Sequence, residues 1–316
     1  MSPSSSILVT IRCAAFNHEK YIRQTLDGIV SQQTSFRFEA IVHDDASTDN
    51  TAGIIREYAE KYPDIIKPFF ETENQYSKGG AEIERIFREN THGKYMIICE
   101  GDDFWTDSLK LQKQVDFLEE HPDYNLYCHD WAVLTETGLQ DSPIHNKYRT
   151  PFSFTFATLP WIWITKTVTT MFRLSAIDFA VLSWYQYARD VHLVYYALKE
   201  SKGYYSPEVM ATYRVHNGGV WSKVDLNERN RVTYALYKEL YAYESNKAVR
   251  KRYMNATLAY FNGLAFGKKT WWHLCTNAKL YFEALRNISD AKDIIFCLGG
   301  LVPTQVVKWI MKRFKV

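Results

Sequence analysis

Glu100-Gly101-Asp102-Asp103 gathers three carboxylates beside a glycine that lets backbone approach a ligand closely. Carboxylates crowded on one turn repel unless protons or a cation lie among them. Oxygen ligands of this kind suit Mg2+ or Mn2+, ions that keep positions open for substrate phosphates. The same residues can also serve as a solvated turn ahead of a helix beginning near Ser108. A second acidic pair, Asp44-Asp45, precedes Ala46-Ser47-Thr48-Asp49. Ser47, Thr48 and Asp49 are helix-capping types. That account leaves over Asp44 and Asp45, and a carboxylate placed there can accept from a ring N–H such as uracil N3.

Both acidic groups follow strand-like runs. Ile7-Leu8-Val9-Thr10-Ile11, Phe38 to His43, Ile65 to Phe70 and Tyr95 to Cys99 read as four strands. Between them, Ile22, Leu26, Ile29 and Val30 share a helical stripe. A second helix carries Ile55, Ala59 and Tyr62 and stops before Pro63. A short third helix spans 81–89, and Leu111, Val115 and Leu118 mark a fourth, ending before Pro122. Strands alternating with helices predict an α/β domain with a mostly parallel sheet covered on both faces. Such sheets bind ligands at the carboxyl ends of their strands, where Asp44-Asp45 and Glu100 to Asp103 fall. Residues 124–224 mix strand and loop signals, and after Asn227 the pattern turns helical. The expected division is 1–225 as a ligand-binding and catalytic domain and 226–316 as a helical C-terminal region.

Composition narrows the class. A formal charge of +2, without a long basic run ahead of the C-terminus, gives no reason to expect nucleic acid. The five cysteines show no paired spacing, which argues against a structural zinc site and a disulfide framework and fits a reducing compartment. The first residues lack a secretory signal. No apolar run reaches the ~20 residues of a membrane span, so the expected location is cytoplasmic.

Three loops taken together carry a resemblance. Cys13-Ala14-Ala15-Phe16-Asn17 ends the first strand, Asp44-Asp45-Ala46-Ser47-Thr48-Asp49 the second, and Glu100-Gly101-Asp102-Asp103 the fourth. In order and spacing the chain resembles the family 2 glycosyltransferases, which have the GT-A fold. Those enzymes carry a Ser-Tyr-Asn-like turn, an Asp-Asp-Gly-Ser-Thr-Asp-like loop and an Asp-x-Asp-like motif at these places. The resemblance implies that Ala14, Phe16, Asn17, Asp44, Asp45, Glu100, Gly101 and Asp102 bind a nucleoside diphosphate-sugar donor. Asp45 matches the uracil-facing aspartate, Glu100 stands where an aspartate reaches the ribose, and Asp102, with Asp103 beside it, matches the metal ligand. Phe16 replaces a tyrosine but keeps a ring that can stack on a base.

Two later segments extend the resemblance. Tyr187-Ala188-Arg189-Asp190-Val191-His192 is similar to the segment that carries the catalytic base, matched here by Asp190, with Arg189 in place of an acidic neighbour. Tyr213-Arg214-Val215-His216-Asn217 resembles a loop that approaches the diphosphate or metal, so Arg214 is expected at the nucleotide and His216 at the metal. The implied reaction is an inverting single displacement onto an acceptor hydroxyl, assisted by Mg2+ or Mn2+, with a UDP-sugar favoured. The implied setting is bacterial surface-polysaccharide assembly, with a glycan or lipid-linked acceptor. A nucleotide-sugar-binding protein without turnover is the alternative that the Arg189 departure leaves open. At the C-terminus, Val306, Ile310 and Phe314 stack on one helical face and Lys308, Lys312 and Lys315 on another. Such a helix either docks on the domain or lies on an anionic membrane surface.

Overall fold

The computed structural model describes residues 6–160, 163–186, 189–219 and 224–265, with scattered positions between 279 and 287. The C-terminal basic helix expected around Val306 to Lys315 lies outside the described residues.

In chain order the elements are β1 (Ile7–Ala15), α1 (Ile22–Val30), β2 (Arg37–Asp44), α2 (Thr51–Lys61), β3 (Ile66–Phe70), α3 (Ala81–Asn90), β4 (Tyr95–Ile98) and β5 (Phe104–Trp105). Next come α4 (Lys110–Glu120), β6 (Tyr124–Thr135), β7 (Gly138–Asp141), β8 (Phe152–Phe154) and β9 (Met171–Arg173). Then follow α5 (Phe179–Leu182), α6 (Asp190–Leu198), β10 (Lys202–Arg214), α7 (Leu226–Tyr243) and α8 (Lys247–Ala265).

The sheet runs β3-β2-β1-β4-β9-β6-β10-β5, with β7 against β6 and β8 against β10. The four strands from β3 to β4 are parallel. β9 enters antiparallel to both β4 and β6, and β6 then pairs parallel with β10 over the longest register in the sheet. All the long strands therefore point the same way, and their carboxyl ends share one rim. The sequence left 124–224 irregular because its short antiparallel pieces interrupt two long parallel strands.

Burial explains the strand readings. Along β1, Val9, Ile11 and Cys13 pack into the core with Ile22, Leu26 and Ile29 of α1 and Leu111, Val115 and Leu118 of α4. Thr10 and Arg12, on the opposite face, are buried too. The Thr10 hydroxyl donates to Glu39, and Arg12 donates to Thr91 and Glu84. A strand covered on both faces loses the alternation of a half-exposed one. Gly28 brings α1 against β5, where a Cβ would stand 3.0 Å from the backbone N and O of Trp105. Gln32 then ties α1 to α4 by donating to Asp107 O and accepting from Leu111 N.

The described chain divides into two compact units, Met1–Ala180 with Asp190–His216, and Val181–Arg189 with Asn217–Val316. In the second unit α7 packs on α8, and Asp225 caps α7 by accepting from Asn227 N and Glu228 N. Among the described residues no helix is long and apolar enough to cross a membrane.

Candidate active site

The loops after β1 and β2 are laced together. Asn17 N–H donates to Ser47 Oγ at 2.9 Å, and Thr48 N–H donates to Asn17 Oδ1 at 2.8 Å. Asp49 accepts from Glu19 N and from Thr51 N, so it serves the helix start through which it was read and also grips the neighbouring loop. Asn17 and Ala46 both take left-handed backbone, with φ of 55° and 57°. Ala46 stands where the family pattern has glycine, the residue that adopts this conformation without steric cost.

Asp44 and Asp45 are both buried, at 2% and 3% exposed. Asp44 Oδ2 accepts from Ser47 N at 3.2 Å, while its Oδ1 is buried without a partner. Asp45 accepts from Gln75 N at 2.6 Å and Tyr76 N at 3.0 Å, which closes the loop after β3 over it. A carboxylate has about four acceptor positions, so two remain for a ligand N–H. Phe16 stands out on the rim, 43% exposed.

The acidic turn is held from below. Gly101 N donates to Ala14 O at 2.9 Å, and the buried Thr25 hydroxyl lies 3.0 Å from Gly101 O and 2.6 Å from Asp103 O. A Cβ at Gly101 would meet Ala15 Cβ and His18 Nδ1, each at 2.9 Å. Asp103 departs from the expected metal role. It is 1% exposed, and its Oδ1 accepts from Arg214 N at 2.8 Å. Burial, then the charges of Asp102 and Glu100, push its carboxyl well above the usual range.

Arg214 acts as a clamp on this turn. Its Nε donates to Asp102 O at 2.8 Å, one terminal nitrogen donates to Gln24, and the guanidinium lies 4.7 Å over the Tyr21 ring. His216 Nε2 stands 2.9 Å from Asp102 Oδ2, with its ring 4.6 Å from that of Tyr21. His18 Nε2 lies 4.0 Å from the same oxygen. Ligand atoms of His18, Asp102 and His216 all fall within 4.8 Å of one another. Burial holds the His18 imidazole below its usual pKa, against the pull of Asp102.

Glu100 Oε2 accepts from the Thr167 hydroxyl at 2.9 Å. Burial first, then Asp102 and also Asp190, push its carboxyl up to about 7. Asp190, the first residue of α6, is thus within electrostatic reach of the acidic turn. Since α6 leads back into β10, its start lies toward the same rim. Lys166 packs its ammonium 4.1 Å over Tyr213, and its charge opposes the rise at Asp103. The sequence did not single out His18, Tyr21, Thr25, Lys166 or Thr167. Only for His18 was there a signal, its place one residue after the Ala15-Phe16-Asn17 turn.

Two of the expected metal residues fit a divalent ion. Asp102 and His216 present an anionic oxygen and an imidazole nitrogen 2.9 Å apart. Ligands about 2.1 Å from one ion and adjacent to each other stand about 3 Å apart.

The sequence profile of glycosyl transferase family 2 matches residues 10–178, which span β1, β2, β4 and the acidic turn. The chain belongs to glycosyl transferase family 2. An uncharacterized protein of Mycobacterium tuberculosis is 34% identical over 229 residues, 70% of this chain. The match spans 62% of that relative's length. The Escherichia coli protein UDP-Glc:alpha-D-GlcNAc-diphosphoundecaprenol beta-1,3-glucosyltransferase WfaP is 27% identical, covering 67% of this chain and 79% of its own. Among solved structures, residues 1–349 of Staphylococcus aureus TarS in complex with UDP-GlcNAc superpose with a TM-score of 0.64 at 16% identity, covering 90% of this chain and 82% of that 1–349 chain. The mannosyltransferase PcManGT of Pyrobaculum calidifontis, in complex with GDP-Man and Mn2+, gives 0.58 at 20% identity, covering 94% and 80%. These likenesses establish the GT-A fold.

Proposed function

We propose that this protein transfers a sugar from a UDP-sugar to a hydroxyl of a glycan or lipid-linked glycan, with inversion at the anomeric carbon. The observation that carries the reading is convergence: loops from β1, β2, β4 and β10 meet on one rim, and the charge of Asp190 reaches Glu100 there. Phe16 and Asp45 receive the base, Asp45 through its remaining acceptor positions. Glu100, held by Thr167, faces the ribose, and Ala14, Asn17, Asp44 and Gly101 shape the cleft around it. Arg214 keeps Asp102 in place. A divalent cation held by Asp102 and His216, Mn2+ or Mg2+, would offset charge developing on the departing diphosphate. Asp190 accepts the proton of the acceptor hydroxyl as that oxygen attacks from the opposite face. No covalent sugar–protein intermediate is required.

The relatives' names support the setting. WfaP is named for glucosyl transfer to a GlcNAc-diphosphoundecaprenol, and TarS is solved with UDP-GlcNAc. By analogy the work belongs at the cytoplasmic face of a membrane, in cell-envelope polysaccharide assembly. The catalytic part is assigned to 1–225, and 226–316 to contact with a membrane surface or partner.

The test combines binding with turnover. Melting is followed with UDP, GDP and dTDP, each with Mn2+ or with EDTA, and transfer from the stabilising nucleotide's sugars is then assayed. Asp190→Asn is expected to keep the nucleotide shift and to lower transfer about 10²–10⁴-fold. Wild-type transfer by Asp190→Asn would remove the base from this account. A nucleotide shift without transfer by the wild type to any glycan or lipid-linked acceptor would favour a binding protein.

A further inference from the structure

Asp102 and His216 leave one neighbour unexplained. His18 sits on the turn between β1 and α1, and its placement is rigid. Its backbone N–H donates to Thr51 Oγ1 at 2.7 Å, and its carbonyl accepts from Tyr21 N and Ile22 N, both at 2.8 Å. The ring, by contrast, is not oriented by the protein's own hydrogen bonds: Nδ1 is buried without a partner. The other ring nitrogen, Nε2, faces Asp102 Oδ2 at 4.0 Å, too far for a direct hydrogen bond and a separation that one ion can bridge. The rings of His18 and His216 stand edge to face, 6.2 Å apart at 82°, with their Nε2 atoms 4.0 and 2.9 Å from Asp102 Oδ2. Atoms bound to one ion at about 2.1 Å are separated by about 3 Å when adjacent and about 4.2 Å when opposite. The observed 2.9 and 4.0 Å fall at and within those limits. Gly101 makes the approach feasible, since a Cβ there would press to 2.9 Å of His18 Nδ1.

We propose that His18 is the third protein ligand of the divalent cation, completing a two-imidazole, one-carboxylate set with Asp102 and His216 that selects a first-row transition ion over Mg2+. The inference rests on the metal-assisted reading above and deepens it. Imidazole nitrogen suits transition ions, whereas Mg2+ favours oxygen ligands in a strict octahedron. Selection therefore comes from His18 and His216, residues outside the acidic turn itself.

The experiment titrates Mn2+ into the full chain, alone and with UDP, and follows the loss of the free-ion electron paramagnetic resonance signal, with Mg2+ as competitor. His18→Asn is expected to weaken Mn2+ binding about tenfold or more, roughly 1.4 kcal/mol, and to narrow the Mn2+-over-Mg2+ preference. Its melting temperature in EDTA reports whether it folds. Should it not fold, pulsed resonance on Mn2+-loaded wild type counts coordinated imidazoles: two support the proposal, one overturns it. Equal Mn2+ binding and preference in His18→Asn and wild type, with Asp102→Asn deficient, overturns the His18 role and leaves the metal site standing. A wild type that binds no Mn2+ under either condition overturns the metal-assisted reading, and this proposal with it.

Discussion

Thr25 is a small residue on which the acidic turn depends. Its hydroxyl is buried and lies within hydrogen-bond distance of two carbonyls, Gly101 O at 3.0 Å and Asp103 O at 2.6 Å. One proton serves one acceptor at a time, so Thr25→Val deletes a single hydrogen bond while preserving shape. What remains is a buried carbonyl facing a methyl group, and leaving a buried group unsatisfied costs about 1–3 kcal/mol. The expected loss is about 2 kcal/mol, read from urea unfolding by tryptophan fluorescence. Trp105, buried beside α1, places a reporter next to the perturbed turn. Mn2+ affinity should fall with it, because Asp102 lies between the two carbonyls in sequence. Thr25→Ser keeps the donor and loses only a methyl, so it should retain most of the stability and the Mn2+ affinity. Thr25→Val within about 0.5 kcal/mol of wild type, or Thr25→Ser as damaged as Thr25→Val, would refute the claim that this hydroxyl braces the turn.

Three further outcomes follow from the same geometry. Ala46→Gly should raise stability by about 0.5–1 kcal/mol in urea titration, since left-handed backbone costs an L-residue about 1–2 kcal/mol and glycine's greater freedom when unfolded returns only part of that; a loss would show that the Ala46 methyl has a packing role. Gly101→Ala should destabilise by about 1–3 kcal/mol through overpacking against Ala15 and His18 and should abolish Mn2+ binding, measured by melting and metal titration. Glu100 binds its proton more tightly when folded, with its carboxyl pushed from 4.5 to about 7. Without cation, stability from this group therefore falls as pH rises through that window and levels off above about 7, by at most about 3 kcal/mol. Glu100→Gln should flatten that slope in pH-dependent unfolding with EDTA, and an unchanged slope would assign it to other carboxyls.

The legible parts of the chain were those whose cause is local. The parallel strands announced themselves as β-branched and apolar runs such as Ile7 to Ile11, most clearly in β1 and β2, where both faces are covered. The acidic turn was visible because carboxylates crowded in sequence need a reason. Asp103 shows the limit of that logic: adjacency to Asp102 suggested a shared ion, yet the chain reverses at the turn and sends its carboxylate inward to Arg214 N. His18 offered only its place after the Asn17 turn, and Thr167 offered no signal, for the opposite reason. Each lies far along the chain from the acidic turn and gains its meaning only when parallel strands bring distant loops to one rim. β9 escaped notice because three residues carry too little pattern to register, although their antiparallel insertion bridges the two parallel groups.

The way the chain crosses between its two compact units bears on how the protein can be divided. It leaves the first unit after Ala180, returns at Asp190, and leaves again after His216. A stop introduced at position 217 would preserve every residue assigned to donor binding, yet it would not yield a self-contained piece. Val181–Arg189 would remain attached, stripped of the partners it has within the second unit. Gln186 N would lose Glu239, and the rings of Trp184 and Tyr185 would lose Tyr243. Those contacts would be lost within a few residues of Asp190. A cut at one place in the gene therefore cannot separate what the fold has interleaved, and dissection calls for removing the 181–189 excursion together with everything beyond His216.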